Sequence, residues 1–140
     1  MTAYDDLMAF EHDTQALGQV AGRLGWDQET VMPRGAAPQR GEEMAALEKV
    51  LHARRTAPQV GEWLAAIDPM TLDSVAQAQL REIRRSFERA SKVPADLAAR
   101  IAKVTSNAQG KWAEARAADE FAALAPDPRP ACAQVCHGTL

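Results

Sequence analysis

The segment Trp26-Asp27-Gln28-Glu29-Thr30-Val31-Met32-Pro33 separates two segments of clear helical pattern. Before it, Thr2 can cap a first helix. Apolar and small residues then recur at steps of three and four, as on one face of an amphipathic helix, at Leu7, Phe10, Thr14, Leu17, Ala21 and Leu24. After it, Pro38 opens a second helix that runs to about Arg55, since proline costs little in a first turn. We therefore predict a shaped connection over residues 26–37, with Gly25 weakening or stopping the first helix and Trp26 buried against the bundle.

Three further helices are predicted from the same spacing. The third starts at Ala57-Pro58 and ends at Asp68-Pro69, with apolar positions at Val60, Trp63, Leu64 and Ile67. A fourth is capped by Thr71 or Asp73, and its inward positions are Val75, Ala76, Leu80, Ile83 and Phe87. The fifth starts at Pro94, with inward positions at Leu97, Ile101, Val104, Ala108, Trp112 and Ala115. The predicted fold is all-α, a bundle of about five helices with near-antiparallel packing.

The chain divides at Pro126, where its composition changes. Residues 1–126 form the predicted helical domain, and residues 127–140 begin with the helix-breaking run Asp127-Pro128-Arg129-Pro130 and are expected to form a frayed tail. We interpret the change as the mark of a premature end or a shifted reading frame.

Composition excludes several classes of function. The chain has 140 residues, 46% of them hydrophobic and 25% charged, and a net charge of −3, which suits one globular domain and does not favour a nucleic-acid partner. The start of the sequence has no basic region followed by an apolar run, and no apolar run is long enough for a membrane span. We expect a cytoplasmic protein.

Few side chains are candidates for metal chemistry. His12 is expected to be solvated, because its neighbours Glu11 and Asp13 do not share its face of the helix. His52 has Glu48 one turn earlier and could pair with it or share a metal, but an ordinary histidine at a helix end is favoured. The one soft-ligand cluster is Cys132, Cys136 and His137, which we hold as weak metal candidates in an incidental tail.

Other candidates favour structural roles. Arg81, Arg85 and Arg89 form a ridge that could bind an anion, yet interleaved glutamates predict a solvated, ion-paired face. Core packing is expected for Trp26, Trp63 and Trp112. No Gly-x-Ser-x-Gly and no glycine-rich phosphate loop occurs. We predict no catalytic residue and no bound cofactor.

Several segments, in order and spacing, resemble the carboxypeptidase Taq family of metallocarboxypeptidases over residues 4–126. The resemblance is carried by Trp26 to Thr30 with Met32-Pro33, Gln39 to Leu47, Leu51-His52, Val60 to Leu64, Arg81 to Arg85, Val93-Pro94, Ala108-Gln109, Trp112, Glu114 to Arg116, Phe121 and Ala125-Pro126. It implies the helical N-terminal region of such an enzyme, which walls the substrate groove.

The resemblance transfers no catalytic or metal residue. The family's His-Glu-x-x-His motif, which the resemblance places far downstream, does not occur in these 140 residues. We therefore expect a truncated, non-catalytic relative of a metallocarboxypeptidase, without the family's catalytic divalent metal.

Two alternatives remain open at this stage. The chain could be an interaction or oligomerisation module, a homodimer or higher oligomer through exposed apolar helix faces, or the partner of a full-length peptidase. It could also be a small metal-binding protein that uses Cys132, Cys136 and His137.

Overall fold

A computed structural model describes residues 2–120 and residue 122. The helices are α1 (Ala3–Thr30), α2 (Ala37–Arg55), α3 (Pro58–Ala66), α4 (Ser74–Ala90) and α5 (Ala95–Ala117), with short 3-10 turns at Arg34–Ala36 and Pro69–Thr71. The predicted all-α class is confirmed, and within these residues no strand occurs. Residues 127–140, with Cys132, Cys136 and His137, lie outside the described part of the chain, as does Phe121.

Side chains cap two of the helices as the sequence predicts. The Thr2 hydroxyl accepts a hydrogen bond from the Asp5 N–H at 3.2 Å, and the Thr2 N–H donates to the Asp5 carboxylate at 2.8 Å. The Thr2 N–H and the Thr2 hydroxyl both donate to the Asp5 carboxylate, and these two hydrogen bonds lower the pKa of Asp5. At the start of α4, Asp73 accepts from the Ala76 N–H at 2.8 Å. Both helices therefore begin at a residue whose side chain accepts a hydrogen bond from a backbone N–H of the first turn.

The apolar core lies between the first half of α1, α3 and α4. Its buried members are Leu7, Val60, Leu64, Ile67 and Leu80. The rings of Phe10 and Trp63 pack edge to face at its border, with centroids 5.7 Å apart. Trp63 is therefore a core tryptophan, as predicted.

The first helix is longer than predicted. It passes through Gly25 and ends at Thr30, so the connection covers residues 31–36 instead of 26–37. A lone glycine weakens a helix by only about 1 kcal/mol, and hydrogen bonds from Gln28 to α5 and from Arg40 to the Leu24 carbonyl hold this end in place. The prediction that Trp26 is buried was wrong, since 65% of it is exposed.

The second half of α1, α2 and α5 form a neighbouring layer, in which α2 and α5 pack closely. Gly41 of α2 is buried, and a Cβ atom placed there would lie 2.7 Å from the Asn107 Oδ1 of α5. Lys103 of α5 forms an ion pair with Glu42 of α2. Small and polar residues of α5 therefore face α2.

This packing corrects the predicted inward face of α5. Its apolar side lies largely outward and carries Leu97, Ile101, Val104, Ala108 and Trp112. Ala108 is exposed, Ile101 and Trp112 are 42% and 44% exposed, and Leu97 and Val104 are partly buried. The buried residues of the helix are Ala99, Ser106 and Ala115, of which only Ala115 was predicted. The inward assignment of Val75 in α4 was also wrong, since that side chain is exposed.

None of the helices in residues 2–120 is long and apolar enough to cross a membrane.

Candidate functional site

An open groove of about 550 Å³ lies between the end of α1, α2 and α5, and the connection from α4 closes one end. Its apolar wall consists of Met44, Ala90, Val93, Ala98, Ile101 and Ala102. Its polar lining includes Gln28, Glu29, Glu48, His52, Arg55, Thr105, Ser106 and Gln109. A mainly apolar concavity with a few polar groups suits the binding of another molecule or chain segment.

The floor of the groove joins α1 to α5 through one reciprocal pair of hydrogen bonds. The Gln28 amide donates to the Ser106 carbonyl at 2.7 Å, and the Ser106 hydroxyl donates to the Gln28 amide oxygen at 2.9 Å. Ser106 is buried, so both of its polar groups are satisfied away from bulk water. This serine supports the floor and has no base beside it that would make it a nucleophile.

The polar end of the groove is also internally paired. The His52 Nε2 lies 2.7 Å from the Val93 carbonyl oxygen, and His52 is buried. Arg55 donates to Glu48 at 3.2 Å. Glu48 therefore pairs with Arg55 and not with His52, and the possibility of a metal shared by His52 and Glu48 finds no support. His52 is in the last turn of α2, as predicted, and it ties that helix to the segment before α5.

Beside the groove, Arg40 holds the end of α1 against α2. It is 8% exposed and donates to Asp27 at 2.5 Å, to Glu43 at 2.9 Å and to the Leu24 carbonyl. The hydrogen bond to Asp27 is the main reason why the pKa of Arg40 is raised. The planar guanidinium carries five N–H donors in a rigid arrangement, which lets one side chain reach all three acceptors at once.

A second arginine holds the other part of α1. Arg54 donates to the Phe10 carbonyl and to the Thr14 hydroxyl, each at 2.9 Å, and its guanidinium lies 4.0 Å from the centre of the Phe10 ring. Glu11 lies close to this arginine. Burial raises the pKa of Glu11, while the charges of Arg54 and Arg55 lower it in part.

The remaining sequence candidates lie at the surface. His12 is solvated as predicted, although its Nδ1 lies 3.7 Å from the Asp13 carboxylate, a neighbour that was expected to point away. Arg81 and Arg85 lie 3.8 Å and 3.9 Å from Glu82 on an exposed face, as expected for that ridge. The core prediction for Trp112 was wrong, because that ring is partly exposed and lies under the Arg116 guanidinium at 5.6 Å.

Sequence analysis missed three residues of this site, namely Gln28, Arg40 and Ser106. Gln28 and Ser106 contact each other across 78 positions, and Arg40 reaches Leu24 and Asp27 on another helix, so no local spacing indicates these contacts. A polar residue inside an amphipathic helix is ordinarily assigned to the solvent side.

No group of three or more histidine, cysteine, aspartate or glutamate side chains in residues 2–120 could hold a metal ion. The described residues therefore do not fit a catalytic zinc, which needs three protein ligands and an open position. The arrangement can bind and orient an apolar surface, and its charged groups are used to fix the helices.

Comparisons with known proteins identify relatives of the chain. The sequence model of the carboxypeptidase Taq (M32) metallopeptidase family matches residues 6–132. Thermostable carboxypeptidase 1 from Thermus thermophilus is 36% identical over 128 residues. That alignment covers 89% of this chain and 25% of the relative, so the chain spans about a quarter of the length of the curated relative it matches.

Proposed function

The chain belongs to the carboxypeptidase Taq (M32) metallopeptidase family, and from this premise we propose that it is a non-catalytic helical module that forms part of the wall of a peptide-binding groove. The observation that carries the proposal is the apolar groove between α1, α2 and α5. A wall of that kind binds an extended or helical segment by burying apolar surface, and it needs no reacting group.

Two features support the non-catalytic part of the proposal. The 140 residues contain no His-Glu-x-x-His motif, and residues 2–120 offer no set of donors for the metal that a metallopeptidase requires. Three polar residues of the groove, Glu48, His52 and Ser106, each have a partner within the module. We therefore assign no catalytic residue and no cofactor to this chain, and we place it in the cytoplasm.

The groove-wall role is testable in a chimera. The segment of the Thermus thermophilus carboxypeptidase that aligns with this chain is replaced by this sequence. We expect a folded, active chimera whose kcat/KM values for a panel of peptides differ from those of the parent, mainly through KM, since a wall changes binding more than chemistry.

The parent enzyme is the control, and the thermal unfolding transition of the chimera establishes that it is folded. A folded, active chimera with the same peptide preferences as the parent would contradict a role in lining the groove. A matched chimera carrying Met44→Ser and Ile101→Ser tests whether any difference arises from the groove itself.

Self-association is a second candidate function, favoured by exposed apolar side chains in the second half of α1 and directly after it. Val20, Trp26 and Val31 are 42%, 65% and 66% exposed. Apolar surface of this kind commonly marks a contact with another protein. We propose a homodimer or higher oligomer, or a contact with a full-length peptidase, through this part of α1. Light scattering over a wide concentration range tests the first option, and a monomer throughout contradicts it.

A further inference from the structure

A second open cavity, of about 560 Å³, lies between α1 and α4 and is called the α1–α4 cavity below. The two helices are joined before it begins, where the Tyr4 hydroxyl donates to the Gln79 side chain at 2.7 Å. Its lining consists of Glu11, Thr14, Gln15, Gly18 and Gln19 of α1, Glu82, Ile83, Ser86 and Phe87 of α4, and Arg55 of α2. Among the described residues, it shares only Arg55 with the groove of the proposed function.

One wall of the α1–α4 cavity is apolar and is held in place by the core. Ile83 and Phe87 pack against the buried core residues. The Phe87 ring lies so close to α3 that a Cβ atom added at Gly61 would be 3.1 Å from the Phe87 Cζ. On the α1 side, a Cβ atom added at Gly18 would meet no atom within 4 Å. A concavity of this kind, within the range of about 300 to 1,000 Å³, suits a small molecule.

Glu11 is the charged group of the cavity without a counter-ion in the described part of the chain. Its side chain is half-buried, and no ion pair among residues 2–120 includes it. The other charges of the lining are matched. Arg55 pairs with Glu48 at 3.2 Å, and Glu82 has two arginines within 3.9 Å on its exposed side.

Burial and the nearby cations act on Glu11 in opposite directions. Arg54 uses its donors on the Phe10 carbonyl and the Thr14 hydroxyl, and Arg55 uses one of its own on Glu48. Burial raises the pKa of Glu11 more than the charges of these two arginines lower it. A further cation inside the cavity would therefore stabilise the charged carboxylate, because it replaces interactions that burial removes.

We propose that the α1–α4 cavity binds a small organic amine, with the ammonium group against Glu11 and the apolar body of the ligand against Ile83 and Phe87. This site is separate from the groove and goes beyond the proposed function. The side-chain oxygens of Gln15 and Ser86, which also line the cavity, are acceptors for the remaining ammonium hydrogens.

The charges of the lining select this class of ligand. Glu11 and Glu82 both disfavour an anion, and the one cation of the lining, Arg55, is already paired with Glu48. A neutral apolar ligand would cover Ile83 and Phe87 but would leave the Glu11 carboxylate uncompensated and further desolvated. An amine with an apolar body satisfies both parts of the lining.

Three small probes test the chemistry of the site. Phenethylamine is protonated at neutral pH, phenethyl alcohol has nearly the same shape without the charge, and methylamine has the charge without the apolar body. Binding to the isotope-labelled full chain is followed by the backbone amide signals in NMR titrations at neutral pH. We expect phenethylamine to bind with a Kd on the order of 1 mM and the other two probes to bind at least about tenfold more weakly.

Two pairs of variants locate the site. Glu11→Gln should weaken phenethylamine binding about tenfold, whereas Asp13→Asn, at an exposed position two residues later, should leave it unchanged. Gly18→Leu fills the cavity and should also weaken binding about tenfold. Gly22→Leu adds the same side chain to α1 outside the cavity lining and should preserve binding. An added Cβ atom meets nothing within 4 Å at either glycine, and leucine favours a helix over glycine, so both variants should fold.

The amide signals give a second, independent readout of the location. Saturable shifts at Gln15, Gly18 and Ser86 would support the proposal. Equal affinity for phenethylamine and phenethyl alcohol, or unchanged phenethylamine binding in Glu11→Gln, would overturn it. So would shifts confined to the groove around Met44 and Ile101, and so would the absence of saturable binding up to about 20 mM. None of these measurements involves a peptide, so their failure is distinct from a failure of the proposed function.

Discussion

Arg40 shows how one side chain can fix the position of two helices. It is buried, and its guanidinium reaches Asp27, Glu43 and the Leu24 carbonyl. Shortening or neutralising it leaves two carboxylates and a carbonyl without their donor. Asp27 and Glu43 are partly exposed, so water replaces part of what they lose.

We expect Arg40→Met to lower the free energy of unfolding by about 2 kcal/mol, because the partly exposed Asp27 and Glu43 are screened by water. Arg40→Lys should lower it by less, since lysine keeps the positive charge but lacks the planar guanidinium. The control is Arg81→Met at an exposed position, with an expected change below about 0.5 kcal/mol. Urea unfolding measures all three. A stability of Arg40→Met equal to that of the control would contradict the role assigned to Arg40.

Glu11 gives a prediction on pH. Burial raises the pKa of the Glu11 carboxyl group in the folded chain. The folded state therefore keeps the carboxyl proton up to a higher pH than the unfolded state does. The contribution of Glu11 is most favourable below its unfolded pKa of about 4.3, and stability falls as pH rises from there through the raised folded pKa.

Glu11→Gln removes this titration. Its stability relative to the original chain should therefore increase between about pH 4 and about pH 7. Denaturant unfolding at both values measures the difference, with the exposed Asp13→Asn as the control. A difference that stays constant or decreases over this range would contradict the effect of burial on Glu11.

Helix α5 shows why an element can be predicted while its orientation is not. The spacing of Leu97, Ile101, Val104 and Trp112 predicted a helix, and the helix is present. The same stripe was expected to face the core, because apolar stripes usually do. Which side of α5 is buried depends on which neighbouring helix packs most closely against it. Gly41 allows α2 to pack closely against the side of α5 that carries Asn107. No spacing within α5 contains that information.

The contact of Gly41 with Asn107 can be tested at the level of these two helices. We expect Gly41→Val to reduce the free energy of unfolding by about 1 kcal/mol, because a side chain there must displace the Asn107 amide from its position against α2. Gly22→Ala in α1, where an added Cβ meets no atom within 4 Å, should instead stabilise by up to about 1 kcal/mol.

Combining Gly41→Ala with Asn107→Ala should recover stability relative to Gly41→Ala alone, since the obstructing amide is removed. Thermal unfolding of the single and double variants measures the coupling. Additive effects would show that the two residues do not constrain each other.

For the whole molecule, the all-α class and the family followed from the sequence, because helix caps, prolines and apolar spacing are local signals. Thr2, Asp73 and Pro58 mark helix starts in the structure as they do in the sequence. The groove could not be predicted from local signals. Its floor depends on a hydrogen bond between Gln28 and Ser106, which are 78 positions apart in the sequence. Gly25 was wrongly predicted to weaken or stop α1, because contacts from other helices outweigh the low helix propensity of glycine.

Metal analysis distinguishes a non-catalytic helical module from a small metal-binding protein. We expect no zinc to remain with the protein after dialysis, and no difference between the original chain and a Cys132→Ser, Cys136→Ser, His137→Ala variant. One zinc per chain that is lost in this variant would support a metal-binding function for those three residues.

We propose that this member of a metallopeptidase family binds peptides without cleaving them, and an assay for the release of C-terminal amino acids tests this most directly. The purified 140-residue chain is incubated with peptides and added zinc or cobalt, beside the Thermus thermophilus carboxypeptidase as a positive control. We expect no release above the protein-free blank, with or without a chelator. Release that follows the protein concentration and is abolished by the chelator would contradict it.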